Sequence, residues 1–390
     1  MTVLPTTHTT DLSHLRRHGA PALSTRNRSA EGILMAWNDL PEVRSPFGRT
    51  VADLLEEGPR RQPLPGYEPV YRDFVDYIIR CTHRIWEQKD VGLCRTHYSD
   101  DCHVHTLAGP VVGKEAVVQN TITTLSATPD RRLMGEDVIW SDDGDGLLYS
   151  SHRVASRSTH LGDDALIGAS SLRSNGVLTI ADCACRENMI VEEWLVRDNL
   201  RAVWQVGGDP WATARAQADA DRNGSQDRHL WRTEAIARTR EAPDAAIPNG
   251  HPALGPAAML ATAFRDDNFG MAAQALSPAV EVRWPSNRHG YGRGYWIGCL
   301  TQIRASLHDV AWRLEHIAAR PLPGADIAVA LRWSLAGIHR GSGVWGAATG
   351  RELLIMAVSH LRLRGGLIIE ETTVFDELAV LRQVAGGLGA

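Results

Sequence analysis

The residues best suited to proton transfer lie on two stretches of sequence that repeat each other. Ile190–Leu200 is matched by Ile368–Leu378, and each residue of the second stretch lies 178 positions after its counterpart. The matching carboxylates are Glu192 with Glu370, Glu193 with Glu371, and Asp198 with Asp376. A carboxylate held in apolar surroundings has a raised pKa and can take up and return a proton near neutral pH. The repeated pattern therefore indicates general acid–base chemistry.

Histidines precede the first of these stretches and are candidate proton or hydrogen-bond donors. His103 and His105 are two residues apart, which places both on one face of a short strand. Such a pair can bind a metal, but no third ligand follows at a suggestive spacing. The second repeat has Glu281 and Arg283 at these positions. We therefore predict neither a metal site nor a cofactor.

The elements that carry these residues are helices followed by long strands. Val70, Phe74, Ile78, Cys81 and Ile85 follow helical spacing and predict a helix over Tyr67–Lys89. Long alternating segments then predict strands, and the last two form a hairpin around Glu187–Asn188. Helices segregated from a run of antiparallel strands are typical of an α+β fold.

The constant offset indicates two copies of one domain. The predicted division is an N-terminal extension at 1–65, a first domain at 66–208, a linker at 209–253 and a second domain at 254–390. The linker contains two helical segments, at 212–220 and 229–240. The extension either packs on the body or a partner subunit, or is disordered.

Composition excludes several classes of protein. Hydrophobic residues make up 43% and charged residues 22% of the 390 residues, which is ordinary for globular domains. The net charge of −5 and the lack of basic runs give no reason to expect nucleic acid binding. We find no secretory signal and no apolar run of membrane-spanning length. The six cysteines indicate reduced thiols, and we expect a cytoplasmic protein.

Each copy resembles the SnoaL-like polyketide cyclases, within the superfamily of ketosteroid isomerase and nuclear transport factor 2. The resemblance covers about 70–205 and 255–388. It rests on His103-Val-His105 with the following glycine-bearing turn, on Ile190-Val-Glu-Glu-Trp194 leading to Asp198, and on the matching segments of the second copy. It implies two tandem cone-shaped α+β domains, each a curved antiparallel sheet wrapped around helices, with an apolar pocket inside.

The resemblance also implies a site at the end of the last strand of each cone. An aspartate there acts as the general base, and Asp198 and Asp376 occupy this position. The predicted catalytic residues are Asp198, His105 and His160. The predicted substrate-binding residues are His103, Trp194, Tyr77, Trp333, His339, Asp376 and Arg283. Alternatively, Asp198 caps the turn that follows it, since aspartate is a favoured N-cap.

Glu193 and Glu371 lie on the opposite face of the repeated strands. A two-residue loop at Gly365-Gly366 would place His360 across from Glu371, and the equivalent loop would place Asp182 across from Glu193. In the resembling family this face forms the sheet-to-sheet dimer contact. We therefore expect the copies to pack there, as a homodimer or as a pseudo-dimer within one chain.

The sequence thus predicts an enzyme that acts on a small organic molecule by cofactor-free general acid–base catalysis, as an isomerase, cyclase or lyase. Two alternatives remain: a hydrolase that activates water between carboxylates, as in epoxide hydrolases of this fold, and a non-catalytic binding module. The first copy is the predicted catalytic one. It has Trp194 where the second has Thr372, and Arg283 is expected to lower the pKa of Asp376.

Overall fold

The computed structural model describes residues 55–387 except 165 and 223–226. Its helices, labelled in chain order, are α1 Phe74–Trp86, α2 Cys94–His97, α3 Lys114–Ala127, α4 Asn199–Gln205, α5 Pro210–Arg222, α6 Asp227–Glu241, α7 Leu254–Phe264, α8 Phe269–Ala272, α9 Arg293–Arg304 and α10 Glu377–Val384. Its strands are β1 Tyr98–His105, β2 Val111–Val112, β3 Arg132–Gly144, β4 Leu147–Thr159, β5 Ser174–Arg186, β6 Met189–Arg197, β7 Leu276–Trp284, β8 Arg288–Tyr291, β9 Leu307–Pro321, β10 Ile327–His339, β11 Glu352–Arg364 and β12 Leu367–Phe375. The predicted N-terminal extension lies largely outside the described residues.

The strands form two six-stranded sheets with the same order. The first sheet runs β2-β1-β6-β5-β4-β3 and the second β8-β7-β12-β11-β10-β9. In each sheet one pair is parallel, β1 with β6 and β7 with β12, and the others are antiparallel. The fold is therefore two tandem α+β domains, as the sequence predicted.

Helix α1 fills the inside of the first sheet. It begins at Phe74, later than the spacing predicted, because Asp73 is its N-cap and accepts a hydrogen bond from the backbone N–H of Asp76. Phe74, Tyr77 and Cys81 are buried with the inner face of the sheet in one apolar cluster. The amphipathic pattern of the sequence thus fixes which side of the sheet is the interior.

A β-bulge in each domain changes which side of the repeated strand faces inward. Cys185 pairs with Ile190 but Ala184 pairs with Glu192, so Val191 is an extra residue. Ile369 is the equivalent extra residue in β12. Beyond the bulge the predicted register is wrong by one residue: Asp182 lies opposite Trp194, and His360 opposite Thr372.

The bulge therefore reverses the predicted faces of the carboxylates. Glu193 and Glu371 point into the domain interiors, where Glu193 accepts a hydrogen bond from Tyr98 Oη at 3.0 Å. Trp194 and Val196 instead pack in the cluster that includes the core of the second domain. The expectation that Glu193 and Glu371 lie at the contact between the copies is wrong, because one extra residue moves every later side chain to the other face.

The two domains pack together through the outer faces of their sheets. The Arg332 guanidinium lies 3.4 Å from the ring centroid of Trp194 and donates to Tyr149 Oη at 2.7 Å. Ser151 Oγ and His360 Nε2 are 2.8 Å apart. Asp182 accepts from both Tyr149 and Ser151. A buried polar network thus joins the two copies within one chain.

The segment between the domains contributes a helix to the same interface. Thr239 on α6 donates to Ser334 Oγ at 2.9 Å, and Arg240 pairs with Glu352 at 2.7 Å. Helix α6 therefore covers part of the outer face of the second sheet, beside the first domain. Within the described part of the chain, no helix combines the length and the hydropathy needed to span a membrane.

Candidate functional site

A cleft of about 430 Å³ lies between the two domains, and we call it the interdomain cleft. The first domain contributes Leu178, Asp198 and Arg201; the second contributes Glu281, Arg283, Trp284, Pro285, Asn287, Arg288, His289, Thr373 and Val374. Most of the second set comes from the β7–β8 hairpin and the end of β12. The cleft therefore requires both copies, and it is rich in arginine.

Asp198 lies in this cleft at the point where β6 ends and α4 begins. It is the N-cap of α4 and accepts from the Arg201 backbone N–H at 3.4 Å. The Ser286 backbone N–H, from the second domain, donates to both of its carboxylate oxygens at 3.0 Å. Asp198 therefore caps the helix that follows it, which was the alternative prediction from the sequence. The cap fixes the carboxylate at the wall of the cleft.

The surroundings of Asp198 suit a general base. Burial raises the pKa of Asp198 to about 6, and the like charge of Glu377 also raises it. The backbone hydrogen bonds from Ser286 and Arg201 act in the opposite direction. Arg201 lines the same cleft, and its Nε is buried without a hydrogen-bond partner among the described residues. A base and a cation with unused donor capacity therefore share one wall.

A second perturbed carboxyl lies directly behind the cleft, inside the second domain. Glu371 Oε1 accepts from Trp284 Nε1 at 3.2 Å and from Thr373 Oγ1 at 2.8 Å. Trp284 and Thr373 also line the cleft. Burial raises the pKa of Glu371 to about 7, although the hydrogen bonds from Thr373 and Trp284 lower it. Two carboxyl groups with raised pKa values therefore flank one wall.

Asp376 is the counterpart of Asp198 but has different surroundings. It is the N-cap of α10, and Asn199 Nδ2 of the first domain donates to it. Burial raises the pKa of Asp376 to about 6. The expectation that Arg283 lowers this pKa is wrong, because Arg283 forms an ion pair with Glu136 of the first domain at 3.2 Å.

A second cavity, of about 110 Å³, collects a different set of the predicted residues, and we call it the Trp194 pocket. His105 Nε2 is 2.8 Å from Glu192 Oε1, and the His105 ring stacks on Trp194 with centroids 5.3 Å apart. This pocket shares no lining residue with the interdomain cleft. The structure therefore separates His105 and Trp194 from Asp198.

The remaining predicted residues lie away from both cavities. His160 and His339 are fully buried, and their Nδ1 atoms form hydrogen bonds with Ser171 Oγ at 3.2 Å and Thr349 Oγ1 at 3.0 Å. The other three are found as follows: Tyr77 donates to the Asn188 carbonyl, Trp333 donates to Ser359 Oγ, and His103 stacks on His105. The predicted constellation of Asp198, His105 and His160 is thus not assembled in one place.

Sequence reasoning missed Arg201, Arg288 and the inward position of Glu371. The repeat itself marked Glu371, but its face depended on an unrecognised bulge. Arg288 forms two hydrogen bonds with Glu377 at 2.8 Å, which holds the β7–β8 hairpin against α10. Among the described residues there is no cluster of three or more His, Cys, Asp or Glu side chains that could hold a metal ion.

Comparison with known proteins assigns the second domain to a family. Residues 257–384 match the model of the SnoaL-like polyketide cyclases. The second domain is a SnoaL-like domain. This confirms the resemblance inferred from the sequence, and the first domain has the same strand order, as tandem copies require. No curated protein gives a significant match to the chain.

Solved structures similar to about a third of this chain include proteins from three bacteria. AclR of Streptomyces galilaeus is 19% identical, with 34% of this chain and 80% of that chain covered and a TM-score of 0.30. A SnoaL-like protein of Jannaschia sp. CCS1 is 18% identical, with 34% and 92% covered and a TM-score of 0.29. IdmH of Streptomyces antibioticus is 23% identical, with 33% and 97% covered and a TM-score of 0.28.

Proposed function

We propose that the chain is a cofactor-independent enzyme that moves protons to and from carbon in a small organic molecule bound in the interdomain cleft. The observation that carries this proposal is Asp198, a fixed carboxylate with a pKa near 6 on the wall of a 430 Å³ cleft. A base is most effective when its pKa lies near the working pH. The SnoaL-like second domain agrees with chemistry of the cyclase or isomerase type.

The proposed first step is removal of a proton from a carbon next to a carbonyl group. The Asp198 carboxylate takes the proton, and the electron pair moves to the carbonyl oxygen to give an enolate. Arg201 stabilises the developing negative charge, because a preorganised cation in a partly dry site acts strongly on it. Its buried Nε, which has no partner in the described part of the chain, supports this role.

The second step returns the proton, or the enolate carbon attacks a second carbonyl of the same molecule. Proton return at another carbon gives isomerisation. In ring closure, the alkoxide formed by the attack takes the proton from Asp198; in elimination, the carbonyl re-forms as the leaving group departs with its bonding electron pair and takes that proton. Below pH 7 Glu371 retains its proton, since its pKa is raised to about 7. The wall behind Trp284 and Thr373 then stays neutral and does not repel the enolate.

The test is exchange of hydrogen in deuterium oxide with a panel of small β-diketones, ketoesters and cyclic enones. NMR should detect protein-dependent deuteration at the carbon next to the carbonyl. A parallel incubation in ¹⁸O-labelled water with epoxides tests hydrolysis. Label retained at a new carbon–oxygen bond, without deuteration, would replace this proposal with the hydrolase. Binding without either reaction would replace it with a binding module.

A further inference from the structure

The Trp194 pocket is separate from the proposed catalytic cleft and has its own polar lining. It lies where helix α6, the outer face of the second sheet and the first domain meet. Its charged residues are Glu192, Glu315, Arg238, Arg313 and Arg332. The three arginines and two glutamates give this lining a formal surplus of one positive charge. Arg313 and Arg332 pair with Glu315, and Arg332 also faces Asp182, whereas among the described residues Arg238 forms no ion pair. Arg238 is therefore the cation of this lining that can attract an anion.

The carboxylates of the pocket already have partners within the protein. Glu192 bonds His105, and Glu315 bonds both Arg313 and Arg332 at 3.3 Å. The Arg332 and Arg313 guanidinium groups hold the pKa of Glu315 below its usual range, so it stays ionised. A ligand in this pocket therefore does not have to be a cation, because Glu192 and Glu315 already have partners within the protein.

A buried donor in the pocket lacks an acceptor. Trp231 on α6 lines the cavity and is only 8% exposed, and its Nε1 has no hydrogen-bond partner among the described residues. A buried N–H without a partner costs free energy. An oxygen atom of an anionic ligand would accept a hydrogen bond from this N–H. Arg238, on the same helix, lines the same cavity and would supply a positive charge to the ligand.

We propose that the Trp194 pocket is a second ligand site, which takes a small organic carboxylate held by Trp231 Nε1 and Arg238. The cavity of about 110 Å³ limits its size. An apolar cavity of about 150 Å³ holds benzene, with six heavy atoms. The ligand is therefore a monocarboxylate of two or three carbons. Its binding does not depend on the reaction proposed for the cleft.

The test is isothermal titration calorimetry of the full chain with acetate and with glyoxylate, and with acetamide as the neutral match. Acetate and glyoxylate should bind with Kd of about 0.1–10 mM, since so few atoms limit the affinity. Trp231→Phe keeps the apolar wall and removes the N–H, and it should raise Kd at least about tenfold. Arg238→Gln should raise it similarly and serves if Trp231→Phe does not fold.

Two controls separate this pocket from other sites. Trp204→Phe changes a tryptophan that is half exposed and outside both cavities, so it should leave Kd unchanged. Arg201→Gln changes the cleft and should also leave Kd unchanged. Equal binding of acetamide and acetate, or no binding of either carboxylate, would overturn the proposal. So would binding lost in Arg201→Gln but kept in Trp231→Phe and Arg238→Gln.

Discussion

Replacement of Glu371 by Gln should change how stability depends on pH. The pKa of Glu371 is raised by burial from 4.5 to about 7, so the folded state holds its proton more tightly than the unfolded state. Its stabilising contribution is therefore complete below pH 4.5 and is lost as the pH rises through 7. The difference corresponds to about 3 kcal/mol, at about 1.36 kcal/mol per pH unit.

Glutamine resembles the protonated acid because it keeps Oε1 as the acceptor for Trp284 and Thr373. Urea unfolding between pH 4.5 and 8 should show wild-type stability falling by about 3 kcal/mol more than that of Glu371→Gln. Asp198 and Asp376 titrate in the same pH range, but their contribution to the pH dependence of stability is the same in the wild type and in Glu371→Gln. Glu241→Gln, at an exposed position, is the matched control. Parallel curves for wild type and Glu371→Gln would refute the reasoning.

Three further outcomes follow from the interface and the cleft. Arg332→Met should destabilise the protein by about 3–5 kcal/mol in urea, because it leaves buried Asp182 without its cation and removes one of the two arginines that pair with Glu315; a loss below about 1 kcal/mol would contradict the buried network. Asn199→Ala should cost about 1–3 kcal/mol, since it removes a donor to buried Asp376, and an unchanged unfolding midpoint would count against that contact. The rate of deuterium exchange should fall as the pH drops below about 6, where Asp198 becomes protonated; a rate that rises on acidification would exclude Asp198 as the base.

The fold could be predicted because the repeat carries long-range information. A constant offset between the two copies implies that both copies form the same kind of sheet. The structure confirms this, because the two sheets have the same strand order. The two-residue turns at Glu187-Asn188 and Gly365-Gly366 were also readable, and all four residues have positive φ. The hydrophobic periodicity also predicted α1, although the Asp73 cap makes the helix begin at Phe74 and not at Tyr67.

The faces of the last strands could not be predicted in the same way. Val191 and Ile369 are ordinary β-formers, so nothing in their type marks them as bulged residues. The bulge nevertheless decides that Glu371 lies inside the domain and Trp194 at the interface. The expected contact face was right for Asp182 and His360, which lie on the unbulged partner strands β5 and β11, and wrong for Glu193 and Glu371, which follow the extra residue in β6 and β12.

The site depends on how two folded domains dock, which local sequence patterns do not encode. Ser286 comes 88 residues after Asp198 and belongs to the other domain, yet its N–H fixes the Asp198 carboxylate. Asn199 holds Asp376 across the same boundary. Sequence reasoning therefore found the aspartates but placed them inside separate cones, whereas the structure has them at the domain boundary.

The most direct test of the central claim compares two near-isosteric variants in the deuterium-exchange assay. Asp198 lines the interdomain cleft, whereas Asp376 has a similarly raised pKa but lines neither cavity, so Asp376→Asn is the matched control. Asp198→Asn should lower the exchange rate at least about 10²-fold with unchanged circular dichroism. Asp376→Asn should keep most of the activity. An inactive Asp376→Asn beside an active Asp198→Asn would contradict the account.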